Sequence, residues 1–303
     1  MVTRATPSRE FEDHWSTVGG IRAHALVSRR AGRTIDIVFV HGLVVASRSL
    51  VPAAAELASY GRVWLIDLPG CGLTQRPTRT PSVEELGAWL AEWLDTADLG
   101  VVALAGNSFG CQVVTELAGR HPERVCAAVL LGPAIQPGLR RAALALMPWL
   151  RRPRAERSTG SPARIGSPAR MALPAGFAWL RRLVFDLPDR RSAEPSLASI
   201  TVCEWLAFGL VRAAETVGSG LRYDLVAGLG RVEAPALVAR GEYDRATGPR
   251  WAVEAARSLR RGCLAAIPGA GHTCHYHAGP ALSGVVGPFL ERHCKVSSDS
   301  ATP

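Results

Sequence analysis

The residues best suited to chemistry lie at Gly106-Asn107-Ser108-Phe109-Gly110. They follow an apolar run at 101–105 and precede a helical pattern at 110–120. A G-x-S-x-G pentapeptide is a weak signal alone, and its placement between strand and helix gives it meaning. The sharp turn puts the serine in a strained backbone geometry, and the flanking glycines remove side chains that would clash. The Ser108 hydroxyl is then presented at the strand end, while the next helix aims its positive N-terminus at developing negative charge. That is the chemistry of nucleophilic attack on an acyl carbon, with a base needed to take the hydroxyl proton.

The elements that must position this serine are legible as periodicity. Short apolar runs at 35–40, 63–66, 101–105, 126–131, 236–239 and 263–267 are bounded by turn residues. Runs of this kind suit strands buried on both faces of a parallel sheet. Helical patterns at 50–60, 83–94, 110–120 and 251–259 lie between several of them. Pro81-Ser82 ahead of Glu84 and Glu85 reads as a helix start with acids in the first turn. Alternation over 21–28 after Gly19-Gly20 reads as an antiparallel hairpin. Strands alternating with helices give an α/β fold, with any site at the C-terminal strand ends. The alternation stops after Leu131 and resumes at Pro235. The segment between them carries arginine pairs, Trp149, Trp179, Trp205, Phe208 and a tandem hexad at 160–165 and 166–171. Two copies are too few for a solenoid, and the proline and glycine density reads as a mobile loop over 155–171.

With these residues in place, the chain resembles the α/β-hydrolase superfamily, in its serine-nucleophile, cap-bearing branch. The likeness covers roughly 20–133 and 230–292. His41-Gly42-Leu43 matches the family's turn after an early strand. The resemblance implies that the Leu43 and Phe109 backbone amides form an oxyanion hole and that His41 is structural. Asp67-Leu68-Pro69-Gly70-Cys71-Gly72 matches the turn after the next strand, also structural. In Gly241-Glu242-Tyr243-Asp244, Asp244 stands where the family carries its carboxylate, with Glu242 as nearest competitor. In Gly271-His272, the histidine occupies the family's base position, with His275 and His277 close by. The order Ser108, Asp244, His272 is the chain order of this fold. The expected architecture is a mostly parallel sheet flanked by helices: a core over 1–133 and 229–294, a helical cap inserted at 134–228, and a disordered tail at 295–303. The implied activity is cleavage of a carboxylic ester or related acyl substrate, with no cofactor and no metal. A thioester or carbon–carbon bond, or a non-hydrolytic cyclisation or elimination, are the alternatives. Relatives that open epoxides or remove halides through an ester intermediate carry aspartate at the nucleophile position, so serine there disfavours those reactions.

Composition bounds the remaining possibilities. The chain has 303 residues, 48% hydrophobic and 20% charged, enough to bury a sizeable core. It contains no apolar run of membrane-spanning length. Residues 1–14 lack the apolar stretch of a secretory signal, and the seven cysteines form no C-x-x-C pair. The expectation is a cytoplasmic protein whose thiols serve as small core residues, without a structural zinc site. The net charge of +9 is local, because 138–191 holds twelve arginines against three acids. Lys295 is the one lysine. No aromatic-interleaved basic strand or DNA-reading motif accompanies this charge, so nucleic acid is not expected as a partner. The expected partner is a small, apolar acyl molecule, and the oligomeric state stays open.

Overall fold

A computed structural model of the chain describes residues 10–29, 35–43, 45–146, 204 and 208–294. In chain order the elements are β1 (Phe11–Val18), β2 (Ile21–Ser28), β3 (Asp36–Val40), α1 (Val51–Leu57), β4 (Arg62–Ile66) and α2 (Val83–Thr96). Then come β5 (Val102–Asn107), α3 (Gly110–Arg120), β6 (Val125–Leu131), α4 (Pro137–Leu146), α5 (Leu210–Arg222) and α6 (Leu225–Leu229). The chain closes with β7 (Ala236–Gly241), α7 (Pro249–Ser258), β8 (Gly262–Ile267), α8 (Cys274–His277) and α9 (Gly279–His293). The strands form one sheet in the order β1-β2-β4-β3-β5-β6-β7-β8. Its β1–β2 and β2–β4 pairs are antiparallel and the other five are parallel. This is the expected α/β-hydrolase architecture, mostly parallel and flanked by helices.

The two-sided burial follows from alternation within the apolar runs. In β3, Ile37 and Phe39 pack into one core with Leu50, Leu57, Leu282 and Leu290, on the side of α1 and α9. Val38 and Val40 point the other way, into a core with Leu90, Trp93, Val113 and Leu117 from α2 and α3. The hairpin turns at Gly19 and Gly20, both at positive φ. Helix α2 starts at a capping box: the Glu85 amide donates to Ser82 Oγ at 3.2 Å, and the Ser82 amide donates to Glu85 Oε2 at 2.8 Å.

Two expectations need correction. The 263–267 run is a strand, yet it is not buried on both faces: β8 closes the sheet order, and Cys263 and Leu264 are exposed. An edge strand has a partner on one side only, a property that an apolar run does not reveal. The cysteines are not all thiols either. Cys126 in β6 and Cys294 just after α9 are joined as a disulfide across 168 residues of sequence. Only tertiary structure brings such distant positions within bonding reach, and the thiol argument for a cytoplasmic location loses that support. Among the described residues no helix is long and apolar enough to cross a membrane. The loop expected at 155–171, the tail at 295–303, and Trp149, Trp179 and Trp205 lie outside the described residues.

Removing the α2 cap tests the helix start. Ser82→Ala is expected to cost about 1 kcal/mol, seen as a lower urea midpoint with an unchanged slope. An unchanged midpoint would mean that packing alone sets the helix start.

Candidate active site

The turn between β5 and α3 carries Ser108 at φ +52°, a left-handed conformation that non-glycine residues adopt only where the surroundings enforce it. The enforcement is visible. A Cβ on Gly106 would stand 2.6 Å from the Gly110 carbonyl, and one on Gly110 would stand 2.4 Å from Val40 O. Both positions therefore exclude side chains, and strand, turn and helix close up. The Ser108 amide donates to Leu131 O at 2.9 Å, tying the turn to the end of β6.

The next residue after Leu131 leads to the other two candidates. A Cβ on Gly132 would stand 3.1 Å from both Asp244 Oδ2 and the His272 ring. His272 Nδ1 lies 2.9 Å from Asp244 Oδ2. Asp244, 3% exposed, also accepts from the Ala246 and Thr247 amides at 2.8 and 2.9 Å. Burial opposes its charge, but the hydrogen bond and positive field of His272, with the two amides, outweigh it and hold the carboxyl below the usual range. A carboxylate only accepts, so the facing Nδ1 carries a proton, and in the neutral ring Nε2 is the nitrogen with the lone pair. That Nε2 is buried and has no hydrogen-bond partner among the described residues.

The competitors have other surroundings. Glu242 is exposed and accepts from the Gly269 amide at 3.0 Å. His275 is buried with a pKa pushed down to about 3, chiefly by burial and then by His272 and His277, so it stays neutral. His277 is exposed. Both nitrogens of buried His41 are engaged: Nδ1 donates to Gly42 O at 2.8 Å, and Nε2 accepts from the Leu68 amide at 3.1 Å. Gly42 faces Ser108, since a Cβ there would stand 3.5 Å from Ser108 Cβ. Gly42, Leu43 and Phe109 line a narrow cavity. Phe208 lines it too, along with Arg212 and Thr216 from α5, two residues that no sequence motif singles out.

The profile described as "Alpha/beta hydrolase family" matches residues 37–282, most of the chain. The chain belongs to this family. It is 40% identical over 100 residues to 2-hydroxy-6-oxo-2,4-heptadienoate hydrolase of Pseudomonas putida, a stretch covering 32% of this chain and 36% of that protein. It is 36% identical over 124 residues to 1-acylglycerol-3-phosphate O-acyltransferase of Arabidopsis thaliana, covering 39% and 29%. The chain spans less than two-fifths of the length of these curated relatives. Among solved structures it resembles a membrane phospholipase A described as a bacterial virulence factor, with TM-score 0.73 and 19% identity over 95% of this chain and 88% of that one.

In this alpha/beta hydrolase the turn after β4 is held by a buried charge cluster that sequence reading did not foresee. Asp67 accepts from the Ser47 and Leu73 amides at 2.8 and 3.0 Å and meets His24 Nδ1 at 2.7 Å. His24 Nε2 lies 3.0 Å from Asp13. Burial opposes the charge on His24, but Asp67 and Asp13 outweigh it and raise its pKa. A raised folded-state pKa contributes stability that is complete below the unfolded value of about 6.5 and is lost as pH rises through the folded value. The stability gap between the native chain and His24→Gln is therefore expected to narrow from pH 6 upward, by chemical denaturation at each pH. A pH-independent gap would mean that folding leaves the His24 pKa unshifted.

Proposed function

We propose that the protein is a serine hydrolase that cleaves a carboxylic ester or related acyl compound through Ser108, His272 and Asp244. The observation that carries this reading is the His272–Asp244 pair packed against Gly132, the residue after Leu131, whose carbonyl holds the amide of strained Ser108. In this reading Ser108 Oγ attacks the carbonyl carbon and its proton passes to His272 Nε2. Asp244 holds the imidazole in the required tautomer and stabilises the imidazolium. The Leu43 and Phe109 amides bond the oxyanion, each such donor being worth ~3–4 kcal/mol. His272 then protonates the leaving alcohol, and water activated by the same nitrogen releases the acyl group. A second reading is cleavage of a thioester or a carbon–carbon bond by the same groups; the likeness to the Pseudomonas putida hydrolase, whose named substrate carries no ester, supports the carbon–carbon form.

Intact mass after treatment with an uncharged fluorophosphonate tests the nucleophile. One adduct on the native chain and none on Ser108→Ala is the expected result; no adduct on folded native protein would count against the reading. Ser108→Ala and His272→Ala are each expected to lower turnover by at least ~10³-fold, and Asp244→Asn by a comparable or smaller factor. Near-native turnover in either alanine variant would sink the mechanism. Activity is expected to survive EDTA; its loss would bring a metal into the reaction. Matched acyl esters, acyl thioesters and vinylogous diketones rank the two readings by kcat/KM.

A further inference from the structure

The cavity beside Leu43 and Phe109 has one charged wall. Leu86, Phe109 and Phe208 make much of it apolar, and Arg212 enters it from α5. The guanidinium is anchored rather than loose. Its Nη2 donates to Pro77 O at 2.6 Å, and its Nη1 lies 3.5 Å from where a Cβ on Gly70 would stand. Among the described residues no carboxylate lies within ion-pair distance of it. Glu215, one turn along α5, is the acid whose field reaches it, and Glu215 is bonded by the Thr80 hydroxyl. Burial, and then the neighbouring Arg76, hold the Arg212 pKa below the usual arginine value. A cation kept against an apolar wall, beside another cation, is stabilised by an incoming anion. A guanidinium fork receives a carboxylate by two parallel hydrogen bonds.

Resting on the serine-hydrolase reading, we propose that this cavity takes a substrate end bearing an ionised carboxylate, and that Arg212 determines the specificity for it. The substrate class is then either the half-ester of a short diacid, with the charge on the acyl half, or an acylated hydroxy acid, with the charge on the alcohol half. Both place a carboxylate at Arg212 while the ester carbonyl meets the Leu43 and Phe109 amides.

The test compares charged and neutral substrates of equal length. Mono-p-nitrophenyl glutarate is set against p-nitrophenyl valerate for the acyl half, and O-acetyl hydroxybutyrate against butyl acetate for the alcohol half. The charged member of one pair is expected to be favoured in kcat/KM, and the favoured pair identifies the half. Arg212→Gln, which keeps a donor for Pro77 O, is expected to lower that charged-over-neutral ratio by at least ~10-fold. Arg212→Lys is expected to fall between the two. A ratio unchanged in Arg212→Gln, or neutral substrates favoured in both pairs, would overturn the proposal. Calorimetry of glutarate with Ser108→Ala adds a readout free of turnover: binding that Arg212→Gln abolishes supports the anion site, and no binding counts against it. If no ester is cleaved and Ser108 takes no fluorophosphonate, the hydrolase reading fails, and the glutarate titration alone decides the cavity.

Discussion

The reversal of the chain at Ser108 is the constraint on which the site depends. A left-handed serine costs about 1–3 kcal/mol and persists only where its surroundings over-determine it. Here Gly110 is pressed against the β3 carbonyls, Gly106 against Gly110, and the Ser108 amide is bonded to the end of β6. Helix α3 is buried along most of its length, so its packing supplies the stability that the turn consumes. In return the serine sits at the C-terminal end of a central strand with the helix N-terminus behind it.

Parallel pairing does the rest of the assembly. Because β3, β5, β6 and β7 run the same way, the turns after them open on one end of the sheet. Those turns carry Leu43, Ser108, Gly132 and Asp244, and the turn after β8 adds His272. The same end of the sheet borders the cavity into which α5 presents Arg212 and Thr216. The candidate triad and the cavity thus lie where the strand ends and α5 come together.

Buried charge is handled by pairing at several places. Asp67 is satisfied by His24 and two amides, Asp244 by His272 and two amides, and fully buried Glu116 by Arg120 and Arg231. None of these acids is isolated, as the cost of an unpaired buried charge requires. The Glu116–Arg231 pair spans 115 residues, and the Cys126–Cys294 disulfide spans 168.

From sequence alone came the strand–turn–helix around Ser108, the alternation of β and α elements, the helix start at Ser82, and the family likeness that pointed to Asp244 and His272. These are local signals, because backbone geometry, side-chain period and turn chemistry are each set by residues a few positions apart. Tertiary structure alone decided that β8 is an exposed edge, that Cys126 meets Cys294, that His24 lies against Asp67, and that Arg212 faces the cavity. Each of these is a contact between distant segments, and no short-range pattern encodes which distant partner a cysteine, a histidine or an arginine will meet.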